Sequence, residues 1–229
     1  MQSQTITIII PTLNESGYID KTCKHLKKMD SNIELIIVDG GSSDDTMALG
    51  SRHGRVISSK RGRAIQMNAG ALKATGKILW FLHADCLPHP ESIHKIKEVV
   101  SAEGVIAGAF EYLLDGNGSL YRISEYLSNR KNRFLNLIYG DMGIFVDAQI
   151  FKQLGGFREI PIMEDMDFCK RIKKVGKIVI LPYCILTSAR RWKKEGPFKN
   201  IIRNWALQLG WALGVSPLYL VRWYPTDGK

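Results

Sequence analysis

The first 85 residues predict an α/β fold with a mostly parallel central sheet flanked by helices. Two observations carry this. Short β-branched runs alternate with helically patterned stretches at close spacing, as strand–helix–strand crossovers in a parallel sheet require. Each run also ends on turn-forming or polar residues, at Pro11, Asp39-Gly40-Gly41 and His83. The chain has 229 residues, 45% hydrophobic and 24% charged, which suits one well-cored domain with an appended element rather than a disordered chain.

Taken in order, Thr5–Ile10 reads as a buried strand ended by Pro11. Glu15–Lys28 reads as a helix with Asn14 as its cap. Ile33–Val38 is the second strand, and Ser43-Asp44-Asp45 opens the next helix with a cap and first-turn acids. Val56–Ser58 is a short third strand. Gly62–Lys73 is helical, with Ile65, Ala69 and Leu72 on one face, and Ile78–Leu82 is the fourth strand. Such sheets bind ligands at the carboxyl ends of their strands, so Pro11–Glu15, Asp39–Ser42 and His83–Asp85 should face one crevice. The second half is less regular. It predicts helices over Pro90–Val100, Ser119–Leu127 and Glu164–Val175, and strands over Val105–Leu113, Gly140–Val146 and Lys177–Leu181. A basic stretch, Arg190–Lys199, precedes the apolar, Trp-rich Ile201–Val221.

Lys and Arg number 32 against 22 Asp and Glu, a net charge of +10 that calls for an anionic partner: nucleotide, nucleic acid or acidic membrane surface. No nucleic-acid motif with interleaved aromatics is present, which disfavours the second. Cys23, Cys86, Cys169 and Cys184 are scattered with no CxxC pair, which argues against a zinc site or a disulfide scaffold. The N-terminal residues lack a signal-peptide pattern, and no segment reaches the roughly 20 apolar residues of a membrane span. A cytoplasmic protein is the expectation.

Several residues sit where chemistry could occur. Lys60-Arg61-Gly62-Arg63 places three cations at a helix N-terminus, where the helix dipole repels them unless an anion is bound. A diphosphate would serve, and a solvated basic loop is the bland alternative. Asp39 could bond a base or ribose, or simply terminate its strand; Asn14 and Glu15 could be plain caps. Asp85 is placed to bind Mn2+ or Mg2+, ions that favour oxygen ligands shared with phosphates. Glu164, Asp165 and Asp167 suit a helix's first turn as dipole partners, or one of them acts as a general base. Asp165 and Asp167 point in different directions on a helix and should not act as a pair.

In this order the motifs resemble family 2 glycosyltransferases, which have the GT-A fold of nucleotide-diphospho-sugar transferases. Pro11-Thr12-Leu13-Asn14-Glu15 resembles the first-strand nucleotide motif. Val38–Thr46 resembles the second, whose Asp contacts the base. Ile78–Asp85 resembles the strand leading to the DxD metal motif. Gly155-Gly156-Phe157 with Glu164-Asp165 resembles the acceptor-side pattern, whose Asp is the catalytic base of inverting members. The resemblance implies a single domain over 1–229, with a nucleotide-binding half (1–85), an acceptor half (86–185) and a basic, apolar appendage (186–229).

It further implies a nucleotide lying across Pro11, Thr12, Asn14, Glu15, Asp39, Gly40 and Ser42, and beside Ala84 and Asp85. Lys60, Arg61, Arg63 and Asn68 would approach the diphosphate or ribose. Asp85 would hold a divalent cation with His83 beside it, Asp165 would activate an acceptor hydroxyl, and Glu164, Arg191 and Trp192 would border the acceptor or diphosphate. UDP is the expected nucleotide by family frequency. A narrower likeness, in Gly62–Ala71, Phe81–Asp85, Gly140–Val146 and Arg190-Arg191-Trp192, is to a bacterial subgroup associated with radical-SAM and selenium-domain proteins.

The chain departs from the family at His83, where the first DxD carboxylate would stand, and at Ser188–Trp192, which keeps only the RW of the processive QxxRW motif. A processive polysaccharide synthase is therefore not expected. Ile201, Trp205, Leu209 and Ala212 recur at helical spacing. They predict a helix packed on the core or in a homodimer, or else an interfacial contact with anionic lipid through Arg190, Arg191, Lys193, Lys194, Lys199 and Arg203. A lipid-linked acceptor stays open with it. Two other functions also stay open: a nucleotidyltransferase acting on a sugar phosphate, and a non-catalytic nucleotide-sugar or nucleic-acid binding module.

Overall fold

The computed structural model describes residues 5–101 and 104–224. Eight strands form one sheet: β1 (Ile6–Thr12), β2 (Glu34–Asp39), β3 (Arg55–Ser58), β4 (Ile78–Phe81), β5 (Cys86–Pro88), β6 (Val105–Asp115), β7 (Phe145–Asp147) and β8 (Lys177–Ser188). Their order across the sheet is β3-β2-β1-β4-β7-β6-β8-β5. The pairings β2–β3, β1–β2, β1–β4 and β6–β8 are parallel. Those of β7 with β4 and β6, and of β5 with β8, are antiparallel. The sheet is thus mixed: β7 enters between two parallel blocks in the opposite sense, which a reading of the first 85 residues could not reveal.

The helices are α1 (Ile19–Met29), α2 (Thr46–Ser51), α3 (Arg63–Ala71), α4 (Ser92–Val100), α5 (Ser119–Leu135), α6 (Ala148–Gln153), α7 (Glu164–Ile172), α8 (Arg190–Glu195), α9 (Pro197–Ala212) and α10 (Pro217–Leu220). β1 is buried along its whole length, so its side chains alternate between two cores. Ile8, Ile10, Ile37 and Trp80 pack with Ile19 and Leu26 of α1 on one face. Ile9, Val38 and Phe81 pack on the other with Phe151, Phe157 and Phe168, whose rings lie 4.8–5.4 Å apart. Gly70 lets α3 lie close on the sheet: a Cβ there would stand 2.5 Å from Ile9 Cγ2.

Several expected boundaries move for identifiable reasons. α1 begins at Ile19, not Glu15, because Asn14 takes a left-handed conformation (φ 55°) and ties to the next loop instead. Its amide donates to Ser42 Oγ (2.9 Å) and its Oδ1 accepts from Ser43 N (2.8 Å). The second helix begins at Thr46, with no acid in its first turn; Asp44 accepts from Thr46 N (3.0 Å). Gly140–Met142 is a 3-10 turn and β7 starts only at Phe145. α5 runs through the basic stretch to Leu135 because polar side chains clamp it to β6. Glu125 Oε1 accepts from Leu114 N (2.6 Å), and Asn129 bonds both backbone groups of Tyr112 (3.3 and 3.0 Å).

Candidate active site

The carboxyl ends of β2, β1 and β4 meet on one edge, and their turns are cross-linked. Gly40 N donates to Thr12 O (2.9 Å), and Gln66 Nε2 of α3 donates to both Thr12 O and Val38 O (2.8 Å each), stitching two parallel strands where their ladder stops. Asp39 is buried, with Oδ2 accepting from Gly41 N and Ser42 N (2.8 Å each) while Oδ1 accepts from the Ser42 hydroxyl. Thr12 Oγ1 also reaches Asp39 (3.4 Å). Pro11, Thr12, Asn14, Glu15, Asp39, Gly40 and Ser42 therefore form one rigid turn cluster. Gln66, which fastens it, was not singled out in the sequence.

Beside this cluster lies a cleft of about 220 Å³, reached by His83, Asp85, Arg63, Asp165, Arg191 and Trp192. Ala84 between the first two is buried, its carbonyl accepting from Thr22 Oγ1 of α1 (2.6 Å), which turns its neighbours toward the cleft. Burial, reinforced by the Arg63 charge, holds the His83 imidazole down to about 4, so it is neutral. Burial pushes Asp85 up to about 6 against the pull of Arg190, whose Nε lies 3.5 Å away, with Glu15 and Asp141 adding negative charge. Among the described residues no cluster of three His, Cys, Asp or Glu could hold a metal alone. One carboxylate, with a neutral imidazole lining the same cleft, does suit an ion that takes its remaining ligands from phosphate oxygens and water.

Asp165 stands in the first turn of α7. The turn is set by Met163 in a left-handed conformation (φ 69°), and the carboxylate is held by Gly140 N (2.8 Å) and Met166 N (2.7 Å). Burial, then the adjacent Glu164, pushes Asp165 up to about 6. Glu164 points elsewhere: its Oε1 pairs with Arg63 Nε at 2.9 Å, and its Oε2 has no partner among the described residues. The repulsion expected at the α3 N-terminus is thus relieved in part by an internal carboxylate, while Lys60 and Arg61 are exposed and lie outside the cleft lining. Asp167 faces away, paired with Arg171 (2.7 Å) and Arg158 (3.1 Å). Asn68 does not reach the cleft, since its amide closes on the backbone of Phe157 by two bonds (2.8 and 2.9 Å).

Three further features were not legible in the sequence. Arg190 grips Glu15 with two bonds (2.7 and 2.6 Å) and stacks over Tyr18, bringing the C-terminal segment to the first turn. Arg191 bonds the Tyr224 hydroxyl and lies over its ring, and Trp192 is buried against Tyr121 (5.4 Å). Finally, α5 and α9 wall the cleft through Lys131, Asn204 and Gln208, with Lys131 Nζ donating to Gln208 Oε1 at 2.7 Å. The fourfold spacing of Asn200, Asn204 and Gln208 was the available signal, a polar stripe in an apolar helix.

The family model for glycosyl transferase family 2 matches residues 7–154, most of the chain. The chain belongs to glycosyl transferase family 2. It is a transferase enzyme, which sets aside the non-catalytic reading, and its family is one of glycosyl transfer, which sets aside the nucleotidyltransferase reading. An uncharacterised glycosyltransferase of Mycobacterium tuberculosis is 26% identical over 193 residues, covering 80% of this chain and 73% of its own. Two solved structures share the GT-A fold at lower identity. The mannosyltransferase of Pyrobaculum calidifontis, in complex with GDP-mannose and Mn2+, superposes with a TM-score of 0.70 at 19% identity, covering 98% of this chain and 65% of that one. Glucosyl-3-phosphoglycerate synthase of Mycobacterium tuberculosis, in complex with Mn2+, UDP and glucosyl-3-phosphoglycerate, gives 0.64 at 18% identity, covering 88% and 78%.

Proposed function

We propose that this transferase moves a sugar from a nucleoside-diphosphate donor, a UDP-sugar first among candidates, to an acceptor hydroxyl with inversion at the anomeric carbon. One observation carries the reading. A buried carboxylate of raised affinity for protons, Asp165, shares a cleft with Asp85 and His83 at the carboxyl edge of the sheet. The nucleotide lies across Pro11–Glu15 and Asp39–Ser42, and the exposed Lys60 and Arg61 approach the diphosphate. Asp165 accepts the hydroxyl proton as the acceptor oxygen bonds to the anomeric carbon, the bond from that carbon to the diphosphate oxygen breaks, and nucleoside diphosphate leaves. Asp85, with His83 in the same cleft, would hold a divalent cation, Mn2+ or Mg2+, which when bound would supply positive charge toward the leaving diphosphate. The solved structures of similar fold, in complex with Mn2+ and UDP or GDP-mannose, support a divalent cation alongside a nucleotide donor. The narrower bacterial subgroup, which rests on Gly62–Ala71, Phe81–Asp85, Gly140–Val146 and Arg190-Arg191-Trp192, is part of the proposal and names no substrate.

The test is a thermal-shift screen of UDP- and GDP-sugars with and without Mn2+, followed by measurement of nucleoside diphosphate release. A donor at about 100 times its Kd stabilises the fold by about 2.7 kcal/mol. That corresponds to a rise of roughly 5–11 °C for a domain of this size. No shift and no release with any donor would contradict the reading.

A further inference from the structure

Two helices of this chain are turned inside out. The buried residues of α5 are Ser124, Glu125, Asn129 and Asn132, while Leu120, Ile123, Leu127 and Phe134 are exposed, Phe134 by 88%. On α9 the buried residues are Asn200 and Leu207, while Phe198, Ile202, Trp205 and Leu209 are 51–66% exposed. A helix on a water-facing surface carries the opposite pattern. Of the four residues whose spacing allowed packing on the core, a homodimer or a lipid interface, Ile201 packs inward against Ala189 and Trp192, while Trp205, Leu209 and Ala212 face outward because the inward side of α9 is the polar wall of the cleft.

The two apolar stripes adjoin. Lys131 of α5 lies over the Trp205 ring of α9 at 5.0 Å, so these residues mark the seam. Leu127 and Phe134 lie one helical turn either side of Lys131, and Ile202 and Leu209 one turn either side of Trp205, which places all four along that seam. Lys131 and Trp205 also line the cleft, so the catalytic cavity opens along the same seam.

Charge follows the apolar surface. Residues 116–139 and 188–224 hold eleven Lys and Arg against two acids, a surplus of nine out of the chain's +10. Both acids are neutralised internally, Glu125 by Arg122 and Glu195 by Arg203, while Arg133 and Arg190 pair with Glu111 and Glu15 outside these segments, so part of the surplus is met within the fold and the rest stays with the apolar face. A second copy of the chain seated on this face would set that surplus against itself. Among the described residues no helix is long and apolar enough to cross a membrane.

We propose that the outer face of α5, α9 and α10 docks on an anionic lipid surface, its apolar side chains entering the interface while the surrounding cations meet the headgroups. The acceptor hydroxyl then enters the cleft along the α5–α9 seam on an amphiphile held in that surface. Docking needs no catalytic assignment; delivery of the acceptor rests on the transfer reading above.

Sedimentation of the full chain with vesicles tests this, using phosphatidylcholine alone and phosphatidylcholine mixed with phosphatidylglycerol. Binding to the anionic vesicles is expected, weakened by salt, with a blue shift of tryptophan emission as Trp205 and Trp223 leave water. The double variant Phe134→Glu/Ile202→Glu lies outside the cleft lining. It should keep its melting temperature and its rate of nucleoside diphosphate release while binding anionic vesicles at least about tenfold more weakly. Failure of the folded wild-type chain to bind anionic vesicles, equal binding to both vesicles, or wild-type binding by the variant would overturn docking. A dimer in light scattering that Ile202→Glu dissociates would assign the face to a protein partner instead. Loss of nucleoside diphosphate release from wild type would count against the transfer reading and leave docking standing.

Discussion

Asp165 is held by two backbone amides in a site that raises its pKa to about 6, so its ionised form is disfavoured by the fold that positions it. The sign follows from linkage. With the folded pKa above the ordinary value of 3.8, the contribution to stability is full below that value and lost as pH rises through about 6. Asp165→Asn should therefore melt at or above wild type at neutral pH, and the difference should shrink on acidification toward the ordinary carboxylate range. Scanning calorimetry across pH checks both. As a base, Asp165 must be ionised, so the wild-type rate should fall on the acid side with a midpoint near 6. At this scale the sequence was informative wherever a residue's position follows from its place at a strand end or in a helix's first turn, as for Asp85 and Asp165, which both line the cleft. It was silent on pairings such as Arg63 with Glu164, because partners distant in sequence are visible only after folding.

At the scale of elements, α7 is positioned by the carboxylate that turns away from the cleft. Asp167 binds Arg171, which donates to Leu154 O and Gly156 O (2.7 Å each) and so fixes the glycine turn that Asn68 also braces. Asp167→Ala leaves that guanidinium without its carboxylate and should cost about 3–5 kcal/mol, read as a lower denaturant midpoint with an unchanged slope. Helix identity was legible from periodicity in the longer helices, including α9 from Ile201, Trp205 and Leu209, but the short α6, α8 and α10 were not read from the sequence. Which side of α9 faces inward was not, since the hydrophobic pattern assumes water outside and α9 has a polar cleft inside. The antiparallel entry of β7 was hidden likewise, because three residues carry no pairing direction.

At the scale of the molecule, the chain closes on itself: Glu15 at the end of the first strand is gripped by Arg190, which opens the last segment. This contact holds α8 and, through the chain that follows, the α9 wall against the nucleotide-side turns. Glu15→Gln should loosen it at a cost of about 1–3 kcal/mol. Limited proteolysis should then cut faster between Ser188 and Pro197 than in wild type, with the central sheet intact. Unchanged cleavage would mean that the cap is held by its own packing instead. The order of motifs along 7–154 made family and fold readable before any contact was known. The closure by Arg190 was not readable, because its basic stretch resembles any solvated surface until Glu15 is placed beside it.

The most direct measurement is the rate of nucleoside diphosphate release from a bound UDP- or GDP-sugar with Mn2+, comparing wild type with Asp165→Asn at a pH well above the Asp165 titration. The account predicts a loss of about 10²–10⁴ in rate with donor binding retained. Release by Asp165→Asn at the wild-type rate would contradict it.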